Sequence, residues 1–87
     1  MKINGEFIVR EIIGECVLVP VGETALRFNG IISLNPVSAV IWKGLLENKD
    51  RDRLLEDILE EFEVERDQAA ADLDEFLQLL RQNQLLD

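Results

Sequence analysis

The stretch Leu34-Asn35-Pro36-Val37-Ser38-Ala39-Val40-Ile41-Trp42 constrains this chain more than any other. It reads as the end of a strand at Leu34, an N-cap at Asn35, proline at the first helical position, and an apolar helix carrying the only tryptophan. An asparagine at an N-cap accepts a hydrogen bond from an orphan N–H of the first helical turn. Proline at the next position loses nothing, because its missing N–H would be unpaired there. The chain therefore switches from strands to helices at one sharp point.

Ahead of that point, Phe7-Ile8-Val9-Arg10-Glu11-Ile12-Ile13 is rich in β-branched residues and stops at Gly14-Glu15. Cys16-Val17-Leu18-Val19-Pro20-Val21 is similar and stops at Gly22. The tight Gly14-Glu15 link predicts a β-hairpin. Pro20 cannot donate to a ladder, so it belongs at an edge or a strand end. A third run, Ala25 to Leu34, alternates around Asn29-Gly30 and is predicted as the third strand. Period two puts Leu26, Phe28, Ile32 and Leu34 on one face and Arg27, Asn29, Ile31 and Ser33 on the other.

Behind that point the period becomes helical. Helix one is predicted from Pro36 to about Glu47, with Val37, Val40, Ile41 and Leu45 at helical spacing. Helix two begins at an Asp50 N-cap and ends near Glu61, with Leu54, Leu55, Ile58, Leu59 and Phe62 as its stripe. Helix three runs from about Arg66 to Gln82, with Ala69, Leu73, Phe76, Leu77 and Leu80 spaced three and four apart. The short Glu63-Val64-Glu65 link predicts a steep crossing, as in a helix-turn-helix. Three strands and then three helices predict an α+β fold, a small antiparallel sheet with a helical cluster, in one domain spanning 1–87.

A chain of 10.0 kDa buries roughly 64% of its unfolded surface, enough for one thin core but not for a deep catalytic cavity. There is no histidine, which removes the commonest general base and metal ligand. The single Cys16 cannot close an internal disulfide, which fits a reducing compartment. It lies in a strand run with no obvious cation to activate it, so it reads as a small packing residue. The amino terminus lacks the charged and apolar regions of a signal peptide, and no apolar run approaches a membrane span. A cytoplasmic location without membrane contact is the expectation.

No catalytic constellation stands out. Glu56/Asp57, Glu60/Glu61 and Asp74/Glu75 are sequence neighbours, which do not face each other on a helix. Gln68, Asp72 and Glu75 have no glycine-bent loop to make them a hard-cation site. Gly5, Gly14, Gly22, Gly30 and Gly44 do not cluster into a phosphate loop, and Gly44 reads as a point of close helix packing. Neither a metal nor a cofactor is expected, and no enzymatic activity.

The order of packing residues from Leu34 to Leu86 resembles the PqqD family (coenzyme PQQ synthesis protein D). It comprises Leu34-Asn35-Pro36, Ile41-Trp42, the spacing Leu54, Ile58, Phe62, Val64, then Asp72-Leu73, Phe76-Leu77, Leu80 and Leu85-Leu86. The front third is similar in Gly14-Glu15 and Val17-Leu18. The resemblance implies a winged helix-turn-helix shape and a non-catalytic peptide binder, a RiPP recognition element. Such modules hold the leader of a ribosomally made precursor peptide and present it to a modifying enzyme, often a radical SAM enzyme. Carried onto this chain, the cleft would use Arg27, Asn29, Ile31 and Ser33 from the third strand. Helix three would contribute Asp72, Phe76, Leu79 and Asn83. Apart from the resemblance, Arg27 and Arg81 read as solubilising surface cations, and the functional alternative places them at the ends of one groove, meeting an acidic peptide.

Two departures stand out. The family often has glycine near position 83 or 84, where this chain has Asn83-Gln84; Asn83 can take the left-handed conformation instead. The loop Asn48-Lys49-Asp50-Arg51 is more charged than the usual glycine-containing turn.

Two other readings compete. One is a winged-helix DNA-binding regulator. Of the net charge of −9, residues 35–87 carry −8, and such a surface repels phosphate. Helix three sets Arg66 and Arg81 against Asp67, Asp72, Asp74 and Glu75, so no nucleic-acid partner is expected. The other is an acidic subunit that docks on an enzyme by its helices and needs no peptide. The third strand, last before the helices, is expected at a sheet edge, where a peptide can add as a strand. The same edge leaves a strand-exchanged homodimer open.

Overall fold

The computed structural model describes residues 1–87. The elements are β1 (Phe7–Ile12), β2 (Glu15–Pro20), α1 (Thr24–Arg27), β3 (Ile32–Leu34), α2 (Pro36–Leu46), α3 (Arg51–Glu61) and α4 (Arg66–Gln82). They divide into two compact units, Gly5–Pro36 and Met1–Asn4 with Val37–Asp87.

The first unit is a three-stranded antiparallel sheet in the order β1-β2-β3. The hairpin turn is Ile13-Gly14, one residue earlier than the sequence suggests, with Ile12 paired to Glu15. Both turn residues have positive φ, 50° and 77°. This is the backbone that matches strand twist in a two-residue hairpin. Glycine adopts it freely; Ile13, β-branched and 98% exposed, is strained there. Leu18 pairs with Ile32 and Cys16 with Leu34, so all four share one face. Leu18, Ile32 and Leu34 are buried, and Cys16 is half-buried and free.

The third run is not one strand. Thr24–Arg27 forms a single helical turn, and the ladder starts only at Ile32. Ala, Leu and Arg favour helix over strand. The Thr24 hydroxyl is buried and accepts a 2.7 Å bond from the Glu6 N–H, which fixes the turn in place. Gly30 has φ 130°, which breaks any continuous strand from Ala25. The expected face is therefore interrupted: Leu26 is 87% exposed while Ile32 and Leu34 are buried. Phe28 packs edge-to-face on Phe7, with ring centroids 6.1 Å apart.

The second unit is helical. α2 starts at Pro36 as expected, and Ile41, Trp42, Gly44 and Leu45 are buried. Asp50 caps α3 by accepting from the Arg53 N–H at 2.9 Å. The expected stripe of α4 (Ala69, Leu73, Phe76, Leu77, Leu80) is buried throughout.

Left-handed residues close α2 and α4 without glycine. After α2, Asn48 has φ 61°, the Lys49 N–H donates to the Gly44 carbonyl and the Asn48 N–H to that of Leu45. After α4, Gln84 has φ 60°, the Leu85 N–H donates to Leu80 and the Gln84 N–H to Arg81. Both are Schellman closures. Asn83, the expected left-handed residue, has φ −97° and caps with its side chain instead. The ends of the unit are tied together. Ile3 bridges Leu86, the Asn4 N–H donates to the Leu85 carbonyl at 2.8 Å, and the Asp87 N–H to Lys2 at 3.1 Å.

Candidate functional site

The sheet register decides which backbone groups are offered at its edges. In a two-residue hairpin the residues flanking the turn exchange both hydrogen bonds, and the pattern alternates from there. Hydrogen-bonded pairs are thus Ile12/Glu15, Arg10/Val17 and Ile8/Val19. Cys16 and Leu18 then turn their groups toward Leu34 and Ile32. Ser33, between those two, points its N–H and carbonyl away from β2. β3 is an edge strand, as expected, and Ser33 is exposed on it between two buried residues.

The other three candidates from this part of the chain are not on the strand. Ile31, 57% exposed, immediately precedes it. Asn29 is exposed in the irregular segment before Gly30, and Arg27 is the last residue of α1. An extended peptide could therefore pair with β3 over only three residues, with Ile31 next along the same edge.

On α4, Asp72, Phe76, Leu79 and Asn83 follow one another at intervals of four, three and four, which keeps them on one side of the helix. Leu79 is 40% exposed, a large apolar side chain facing solvent. Asp72 is half-buried and accepts from the Gln68 amide at 2.8 Å. The Asn83 amide donates to the Leu79 carbonyl at 2.8 Å. Phe76 is buried, so of the four it offers the least surface.

Ion pairs occupy Lys49, Arg51, Arg53 and Arg66 of the helical unit. Arg51 grips Asp74 with two bonds, 2.7 and 2.9 Å. That guanidinium holds the Asp74 carboxyl below the ordinary carboxylate range. Lys49 bridges Asp57 at 2.7 Å and Glu47 at 3.3 Å, and its pKa is raised chiefly by the Asp57 hydrogen bond. Arg53 also reaches Asp57, and Arg66 reaches Glu56. Arg81, for which a groove end is the functional alternative to a solubilising role, donates its Nε to the Asp87 carbonyl at 3.2 Å. The pairing leaves α3 and α4 little unpaired positive charge for a phosphate backbone. A shallow groove of about 290 Å³ runs beside α2 and α3, lined by Val40, Gly44, Lys49, Asp57 and others, and holds the Lys49 bridge.

Sequence reasoning missed the opposite sheet edge. β1 leaves Ile8, Val9 and Ile12 exposed. The signal was present: in a β-β-β meander the first strand is an edge as surely as the last.

The comparisons with known proteins agree with this architecture. The solved structure of TbiB1 in complex with the TbiA(beta) leader peptide matches 100% of this chain and 95% of that one, at 29% sequence identity and a TM-score of 0.75. The family model of coenzyme PQQ synthesis protein D matches residues 15–86. The chain belongs to the PqqD family. No curated protein matches it in sequence. No helix is long and apolar enough to cross a membrane.

Proposed function

We propose that this chain is a RiPP recognition element: a non-catalytic module that captures the leader of a ribosomally made precursor and presents it to a modifying enzyme. The observation that carries the reading is the match, along the whole chain, to a structure that has a leader peptide bound. The free β3 edge supports it, because strand addition gives affinity through backbone bonds whatever the leader's sequence. In this reading the leader pairs with Ser33 and extends past Ile31, Asn29 and Arg27. Its side chains meet Asp72, Leu79 and Asn83, with Phe76 backing them. The modifying enzyme, of which a radical SAM enzyme is one kind, acts on the core peptide while the leader is held. Reaction and product belong to that enzyme, and the work is done in the cytoplasm.

The test is a titration of the protein with the leader of any short precursor found encoded beside it, read by fluorescence anisotropy. Saturable binding that weakens in both Ile31→Asp and Leu79→Asp, with the helical circular dichroism unchanged, supports the reading. Binding that ignores both substitutions overturns the proposed cleft.

A further inference from the structure

The sheet has a second free edge that leader capture does not use. β1 is six residues long, against three for β3. Ile8, Val9 and Ile12 on it are 42%, 50% and 50% exposed. The register points the Val9 and Glu11 backbone groups away from β2. A long, exposed, apolar edge is a template for another strand unless something blunts it. No proline interrupts β1, and its ladder with β2 is continuous from Phe7 to Ile12.

The charges on this edge select the occupant. Glu6 continues the ladder, its carbonyl accepting from the Val21 N–H at 3.0 Å. It therefore lies on the same sheet face as Ile8 and Arg10. Glu6 and Arg10 are exposed and neither is in an ion pair. Two β1 strands meeting about a two-fold axis must place one residue opposite itself. Centring on Arg10 or Glu11 sets like charges face to face. Centring on Val9 sets Ile8 against Arg10 and Phe7 against Glu11. Centring on Ile8 sets Ile8 against Ile8, Phe7 against Val9, and Glu6 against Arg10 twice. In that register Ile8/Ile8 and Glu6/Arg10 are the non-hydrogen-bonded pairs, where facing side chains come closest.

We infer that the β1 edge is a homodimer interface. Two copies join antiparallel through β1 with Ile8 on the axis and a Glu6–Arg10 pair on each side. The result is one six-stranded sheet with a β3 edge at each end. Dimerisation and leader capture then use opposite edges and do not compete. This differs from strand exchange at β3, which would occlude the peptide edge.

Sedimentation of the full chain at near-millimolar concentration tests this. Wild type sediments as a dimer. Glu6→Arg and Arg10→Glu each create two like-charge pairs and raise the dimer dissociation constant by roughly tenfold or more. Mixing the two variants in equal amounts restores the dimer, because the paired arginines of one copy then face the paired glutamates of the other. Rescue by mixing requires folded variants and this register. A monomeric wild type, a dimer indifferent to both changes, or a mixture that stays monomeric overturns the proposal. So does a dimer that dissolves when leader is added, which would place the interface at β3.

Discussion

Replacing Gly44 by alanine sets two effects of opposite sign against each other. In a helix interior alanine is favoured over glycine by roughly 0.5–1 kcal/mol. On that ground alone Gly44→Ala would stabilise α2. But a Cβ at position 44 would drive into the Leu54 side chain of α3. Leu54 is fully buried, so its methyl has little room to give. Overpacking a core costs about 1–3 kcal/mol. The clash wins, with a net loss of about 1–2 kcal/mol. For 87 residues the unfolding entropy at the midpoint is about 180 cal/mol/K, so each kcal/mol moves Tm by about 5 °C. Gly44→Ala should lower Tm by about 5–10 °C in a thermal melt followed by circular dichroism. Leu54→Ala alone should cost about 2–5 kcal/mol. The double variant should cost less than the sum, because each change relieves the other. A Gly44→Ala protein that melts at or above the wild-type temperature would show that α2 and α3 do not approach this closely, and the reasoning would fail.

Three further outcomes are expected. Ile31→Ala and Leu79→Ala, each removing side-chain surface that is 57% and 40% exposed in the free protein, should weaken leader binding about fivefold apiece, and the aspartate versions by at least about tenfold, in anisotropy titrations. Ile13→Asn should raise stability by about 1 kcal/mol, or Tm by about 5 °C, because asparagine tolerates the positive φ that strains isoleucine and the exposed side chain loses little. Arg51→Ala should cause a small fall in Tm at pH 7 that vanishes in acid. The folded Asp74 carboxyl is held below its unfolded value of about 3.9, so the pair's contribution is present above that pH and is lost as pH falls through the lower folded value.

The helical half was legible in the sequence because its signals are local and periodic. The Asn35-Pro36 start, the Asp50 cap and the α4 stripe each rest on residues close together in the chain. The sheet half was less so. Ala25–Leu34 alternates well enough to read as a strand, but the buried Thr24 hydroxyl holding the Glu6 N–H is a contact across 18 residues that no local pattern announces. That contact turns Thr24–Arg27 into a helical turn and takes Arg27 and Asn29 off the strand. The helix ends show a related limit. Asn48 and Gln84 do what glycine does elsewhere, and composition alone pointed to Asn83 rather than its neighbour. The residues named for the peptide came from family resemblance; the register then distinguished Ser33 and Ile31 as edge positions and Phe76 as core.

The most direct test of the central claim is an amide-shift NMR titration with the leader of any co-encoded short precursor. Strand addition predicts shifts concentrated at Arg27–Ser33 and Asp72–Asn83, with the Ser33 amide among the largest. An absence of shifts at near-millimolar leader, or shifts confined to β1 and α3, would contradict it.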